Sequence, residues 1–268
     1  MGRGVLDPMR GSFNKWQMHR VLSGEDIGPC QLPETRLWHP QTLLPFLDKH
    51  AEVYIKPLHT WGGQNVGVVK RRGSELQFTS SGQSRSYASG SDLILALLTV
   101  YPPHGAIVQQ AAPLCRYNGR VFDIRVLMQR NEEDKWVTAG MLARVGGEGA
   151  VVSNVRASRG TVQEVNHTLR RALPRAAATV KQRQRIKAAL RSASERICNL
   201  LSPYRWFSEV GLDFGIDQSG KLWLIEVNTD DAVGGPSHAL FAELPDPRLF
   251  LEIEERAYRN QLRRLSGR

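Results

Sequence analysis

The segment 211–228 constrains this chain more than any other. Gly211-Leu-Asp-Phe-Gly-Ile-Asp is followed, after Gln218-Ser-Gly-Lys, by Leu222-Trp-Leu-Ile-Glu-Val-Asn228. Residues 222–227 are rich in β-branched and large apolar side chains, and the Asp-Gln-Ser-Gly cluster before them supplies turn chemistry, so the segment reads as an antiparallel hairpin. Side chains at i and i+2 of a strand share a face, which puts Glu226 and Asn228 on one side. The turn can bring Asp213 of the partner strand opposite them, so that three oxygen donors converge. Two readings of this trio stand side by side. One is a magnesium site, since magnesium takes oxygen ligands and usually one or two carboxylates; the other is a polar row on the solvent face of a half-buried sheet.

At 268 residues, with 41% hydrophobic and 23% charged residues, the chain can bury the core of one large domain or of two small lobes. Its longest apolar run, residues 93–101, falls far short of the roughly 20 residues needed to cross a bilayer, so no membrane partner is expected. The N-terminal Met1-Gly-Arg-Gly-Val-Leu-Asp-Pro lacks the apolar core of a secretory signal. Cys30, Cys115 and Cys198 are odd in number, widely separated and without metal-binding spacing, which indicates neither a disulfide framework nor a zinc site. A reducing, cytoplasmic location is the simplest expectation. The net charge of +10 directs the chain toward anions: nucleic acid, nucleotide phosphates, acidic peptides or anionic membrane surfaces. Much of the excess sits at 170–196 and 256–268. Within the first, Ile186, Leu190, Ile197 and Leu201 recur at helical spacing, predicting a basic amphipathic helix whose charges read as a solvated outer face.

Along the chain, short helices are predicted at 13–23, ending at Gly24, and at 40–50. A strand at 52–57 stops at a proline, and His59-Thr-Trp-Gly-Gly-Gln-Asn-Val-Gly67 links it to a second strand at 66–70. The Gly/Ser/Arg-rich stretch 80–91 reads as a loop, with Ser91 capping a helix through Tyr101. Strands at 106–110, 122–129 and 136–145 precede the basic helix and the opening hairpin. Helices and antiparallel hairpins mix without regular βαβ units, which argues for α+β lobes. Lys56, at a strand end before Gly62, Gly63 and Gly67, suits phosphate: glycines let backbone N–H groups turn toward anionic oxygens while the lysine neutralises charge. The pattern is neither a Walker nor a Rossmann sequence. Asp123 and Arg125 share a strand face and fit either a structural ion pair or ligand contacts. His238 reads as a surface residue.

In order and spacing, Lys15, Val53-Tyr-Ile-Lys-Pro57 with its glycine loop, Ile107-Val-Gln-Gln110, Phe122-Asp-Ile-Arg-Val126, Ser153-Asn154, Gly211-Leu-Asp213 and Glu226-Val-Asn228 resemble an ATP-grasp enzyme. The resemblance is nearest to the YheC/YheD-like family, described as associated with endospore coats, and more distant to the RimK-type ligases. It runs from about residue 12 to 228 and implies one ATP-grasp domain over 1–268, whose two α+β lobes clamp ATP. Within it the resemblance implies an N-terminal helical part at about 12–50, a glycine-loop lid lobe at 51–110 and a metal-binding lobe at 111–268. It assigns Lys15 and Lys56 to the phosphates of ATP, with Gly62 and Gly63 in the loop over them. Gln109, Gln110 and Ala112 fall in the hinge strand that meets adenine, with Gln110 where relatives often carry glutamate. Asp213, Glu226 and Asn228 match the ligands of Mg2+, or of Mn2+ in its place. Arg125 matches an arginine facing the phosphates or a substrate carboxylate, and Arg144 and Asn154 lie where related ligases gather substrate-binding and phosphate-binding groups.

The implied reaction is an ADP-forming ligation of a carboxylate to an amine, small molecule or peptide, through an acylphosphate. No GxSxG and no Cys placed with a His competes with that reading. Two alternatives stay open: a kinase that phosphorylates a small molecule on the same fold, and a non-catalytic coat or scaffold protein that binds ATP or nucleic acid. Nucleic acid is disfavoured, because the basic helix lacks interleaved aromatics. Only fourteen residues precede Lys15, so no separate N-terminal domain is expected, and a second copy or a partner chain would supply the surface that such a domain gives RimK-type ligases. The stretch 229–236, with Asp230 and Asp231, departs from the short Pro-Gly turn common in relatives.

Overall fold

The computed structural model describes residues 14–60, 64–229 and 237–266. Trp61, Gly62, Gly63, Asp230 and Asp231 lie outside the described residues. The first part of the chain runs α1 (Lys15–Leu22), β1 (Cys30–Gln31), β2 (Thr35–Leu37), α2 (Pro40–His50), β3 (Glu52–Pro57), β4 (Gly67–Arg72), β5 (Glu75–Ser80), β6 (Gln83–Tyr87), α3 (Gly90–Leu98) and β7 (Ala106–Gln110). The second runs β8 (Phe122–Arg130), β9 (Trp136–Val145), α4 (Val155–Ser158), β10 (Thr161–Gln163), α5 (Val165–Ala172), α6 (Val180–Leu201), β11 (Glu209–Ile216), β12 (Leu222–Thr229) and α7 (Pro247–Leu265). Two six-stranded sheets result, ordered β2-β7-β3-β4-β5-β6 and β1-β12-β11-β8-β9-β10. The α+β class read from the sequence holds.

Each sheet has its own core. Trp38, Leu43, Leu47, Leu93 and Leu97 pack from the α2 and α3 side onto Val53 and Val108 of the first sheet. In the second, Ile186, Leu190 and Ile197 of α6 cover Ile124, Val126 and Phe214. On the other face Leu127 and Leu142 meet Phe241 and Ile253 of the C-terminal segment. Strand side chains alternate between faces, so polar residues between these positions are free to face the first sheet.

Three local expectations change. Ser89, not Ser91, caps α3 by accepting from the Asp92 N–H, and the helix ends at Leu98. The stretch expected to be a loop holds β6, which pairs with β5 across Ser81 and Gly82. Both turn residues have positive φ, 50° and 78°, the geometry that a two-residue hairpin needs. The basic stretch is two helices, because Pro174 cannot continue α5 and a 3-10 turn at Arg175–Ala177 follows before α6. Its apolar spacing is nonetheless the one expected: Ile186, Leu190, Ile197 and Leu201 are all buried.

Candidate functional site

The site begins with a bulge. Near its turn the β11–β12 hairpin pairs Ile216 with Leu222 and Phe214 with Leu224, yet Asp213 pairs with Glu226, leaving Ile225 as an inserted residue. A regular ladder would set Ile225 opposite Asp213 and turn Glu226 toward α6; the bulge instead directs Glu226 to the face of Asp213. Asn228 shares that face and donates from Nδ2 to Asp213 Oδ2 at 3.2 Å. The β8–β9 hairpin has a matching irregularity, with Ala139 inserted, and beyond it Asp123 lies opposite Arg144.

These registers bring together a buried charge network. Arg125 donates from Nε to Asp213 Oδ1, from Nη2 to Oδ2 at 3.0 Å and from Nη1 to the Ser237 carbonyl at 3.3 Å. Arg144 holds Asp123 through Nε and Nη2 at 2.7 and 2.6 Å, and its Nη2 also lies 2.7 Å from Asp213 Oδ2. Ser153 Oγ adds a third donor to Asp123. The structural partner of Asp123 is therefore Arg144 and not Arg125, because a directly opposed cross-strand neighbour is nearer than a same-strand i+2 neighbour. Burial alone would raise Asp213, but two arginines outweigh it and hold this carboxyl below its usual range. Asp123, buried, sharing one arginine and facing the Asp213 charge, is pushed up. Gly211 makes room for the network: a Cβ there would sit 2.9 Å from Ser237 Oγ and 3.1 Å from Arg125 Nη1.

Lysines approach from the other side. Asn14 caps α1 in a reciprocal box with Gln17, and the first turn places Lys15, whose Nζ lies 3.6 Å from Glu226 Oε1 and donates to the Thr60 carbonyl at 2.7 Å. Thr60 in turn donates from Oγ1 to the Gln64 carbonyl at 3.1 Å, joining the two ends of the glycine loop. Lys56, at the end of β3, donates to Gln109 Oε1 on β7 at 2.6 Å. Burial pulls the Lys56 ammonium down to about 8; Glu226 and Asp213 oppose that fall, and the charge of Lys15 adds to it.

Between the sheets lies a cleft with an empty volume of about 1700 Å3, part of it open to solvent. Lys15, Lys56, Gln109, Gln110, Ala112, Arg144, Asn154, Asp213 and Glu226 all reach its lining, whereas Arg125 and Asn228 sit just behind Asp213. Gln110 is tied to the chain before β2, its Oε1 accepting from the Glu34 N–H at 3.2 Å. Tyr54 reaches across the cleft to the Val151 carbonyl at 3.4 Å. Cys30, Cys115 and Cys198 are free, buried and have raised thiol pKa values, Cys30 to about 12, as burial dictates. None is poised as a thiolate.

The donor chemistry fits a hard cation in part. Glu226 offers a carboxylate and Asn228 an amide oxygen on one strand face. Asp213 Oδ2 already accepts from Arg125, Arg144 and Asn228, so it is saturated, while Oδ1 accepts from Arg125 and keeps one acceptor direction. Among the described residues no three His, Cys, Asp or Glu side chains gather into a metal cluster; magnesium, which needs only one or two carboxylates, is compatible with that.

His238 is not a surface residue. Its Nδ1 lies 2.7 Å from Glu209 Oε2 and its backbone N–H donates to Oε1 at 3.1 Å. Burial pulls the imidazole down, but the Glu209 hydrogen bond and charge outweigh it and raise its pKa. Sequence reading missed this pair, as it missed the Arg144–Asp123 bond, since both are set by tertiary register and neither has a local motif.

Among known proteins, YheD of Bacillus subtilis, an endospore coat-associated protein, is 25% identical over 81% of this chain and 48% of its own length. YheC of the same organism, also endospore coat-associated, is 22% identical over 82% of this chain and 60% of its own. This chain therefore spans half to three fifths of the length of these relatives. The crystal structure of D-alanyl-alanine synthetase A from Vibrio cholerae shares its fold, with a TM-score of 0.51 at 15% identity, covering 96% of this chain and 67% of that one. Among the described residues no helix is long and apolar enough to cross a membrane. The family model for YheC/D-like ATP-grasp proteins matches residues 8–246, and the chain belongs to that family.

Proposed function

We propose that this chain binds ATP with magnesium between its two sheets and uses it to join a carboxylate to an amine, releasing ADP and phosphate. The observation that carries the reading is the gathering of Lys15, Lys56 and Glu226 in one cleft whose lining also includes Gln109–Ala112. Adenine then lies along residues 109–112, where among the described residues no protein acceptor takes the Ala112 N–H. The phosphates lie against the two lysines, whose charge stabilises a phosphoryl group in transfer.

Glu226, Asn228 and the free side of Asp213 Oδ1 would hold magnesium, which neutralises phosphate charge and orients the γ-phosphate. Arg125 and Arg144 fix Asp213 ionised and in place; Arg144, on the cleft wall, also stands beside the incoming carboxylate. A carboxylate oxygen attacks the γ-phosphorus and ADP leaves; the amine attacks the acyl carbon of the acylphosphate and phosphate leaves. The protein contributes orientation and charge, with no covalent intermediate of its own. The YheC/D-like relatives, described as endospore coat-associated, support a carboxylate-rich or amine-rich envelope or peptide substrate.

The test is mass spectrometry of products after incubation with ATP, magnesium and a pool of metabolites and peptides. A new mass equal to an acid plus an amine less water, formed with ADP, is expected. A phosphorylated product that forms without any amine contradicts the ligase assignment and indicates a kinase.

A further inference from the structure

The thirty residues 165–194 contain eight lysines and arginines and not one aspartate or glutamate. They form α5, the 3-10 turn and the first two thirds of α6, up to residue 194. Arg170, Arg171, Arg175, Lys181, Arg185 and Arg191 are exposed, and none of the eight cations pairs with an acidic group among the described residues. The ion pair that α6 does make, Arg196 with Asp26, lies beyond this span. A solvated outer face normally interleaves both signs; this one, a ridge, is basic throughout 165–194, although Glu164 and Asp246 line one groove with Lys187 and Arg191. The ridge continues onto the neighbouring loop, where residues 117–120 are also free of acids. There Tyr117 collects His167 Nε2 at 3.2 Å, Arg171 Nη1 at 3.5 Å and the Arg120 guanidinium over its ring at 5.9 Å. The ridge is independent of the cleft, because α6 covers Leu212 and Phe214 while Asp213 between them points to the opposite face.

We infer that this ridge docks the sugar-phosphate backbone of double-stranded nucleic acid without reading its sequence. Six of the eight cations are arginines, whose planar forks match phosphate oxygens. The span contains no Phe, Tyr or Trp, so it offers no stacking platform for single-stranded bases. Its one exposed large hydrophobic side chain among the described residues is Val180, too little apolar surface to hold a helix in a lipid interface. At 1.5 Å per residue the part of α6 within the ridge, 180–194, extends about 22 Å, roughly two thirds of one turn of duplex.

The experiment is fluorescence anisotropy with a labelled random-sequence DNA duplex of about 24 base pairs, titrated at several salt concentrations. About five phosphate contacts predict that log K falls against log salt with a slope of about −4.5. The triple variant Arg171→Glu, Arg175→Glu, Arg185→Glu, altered at exposed positions outside the cleft, is expected to lose more than tenfold in affinity and roughly 2.7 of that slope. Its melting temperature and nucleotide affinity are expected to stay unchanged. A matching Arg→Gln triple is expected to fall between the two. Absence of salt-dependent binding at 50 mM salt, equal binding by the Glu variant, or equal competition by poly-glutamate or anionic vesicles of matched charge would overturn the inference.

Discussion

Lys56 shows how a single side chain can be destabilised by its surroundings and still belong there. Burial holds its ammonium at about 8, below the ordinary lysine value. A group with a lowered folded pKa costs stability while it is charged, and the cost shrinks as pH rises from about 8 toward the unfolded value. A phosphate against Lys56 reverses the balance by favouring the charged form. Above pH 8, nucleotide binding must therefore take up a proton, and the dissociation constant for ATP should rise about tenfold per pH unit there while staying flat below. Calorimetry across pH 7 to 9.5 checks this, and Lys56→Arg should flatten the profile. A wild-type affinity that stays constant over the range would show that Lys56 does not meet the phosphates. At this scale the sequence was readable for which residues meet: Lys56, Asp213 and Glu226, picked by residue type and spacing, and Lys15, picked by the family resemblance, line one cleft. It was not readable for Ser153, Arg144 and Asp123, whose bonds depend on how two strands are aligned.

The elements explain why. Both hairpins that build the site contain an inserted residue, Ile225 in one and Ala139 in the other. Counting from either turn as a regular ladder misaligns every pair beyond the bulge by one position, and one position moves a side chain to the other face. The i, i+2 relation of Glu226 and Asn228 survives because both follow the bulge. Glycine and serine at 80–91 resemble a loop in composition, but the Ser81-Gly82 turn makes them a hairpin edge. The pair between Glu209 of β11 and His238 anchors the chain entering α7. Its imidazole has a raised folded pKa, so the stabilisation is fully present below about pH 6.5 and fades as pH rises through that raised value. His238→Gln should therefore lower stability by roughly 1–2 kcal/mol at pH 6 and by less at pH 8.5, read from urea midpoints. Equal losses at both pH values would mean that the contact is not charge-assisted.

At the scale of the whole molecule, two sheets with separate cores face one another across a cleft, and the contacts that span it among the described residues include Lys15 to Thr60 and Tyr54 to Val151. Such an arrangement leaves the middle to a ligand. Besides the basic C-terminal segment, positive charge gathers as lysines inside the cleft and as an arginine-rich ridge on the opposite face of the second sheet. Calorimetric titration of a non-hydrolysable ATP analogue, with and without magnesium, into the wild type and Glu226→Ala tests the central claim most directly. Tight, magnesium-dependent binding by the wild type is expected, together with at least a tenfold loss in Glu226→Ala at an unchanged melting temperature of the unliganded protein. Equal magnesium-dependent affinity in the two proteins would contradict the placement of the metal and the phosphates at this hairpin.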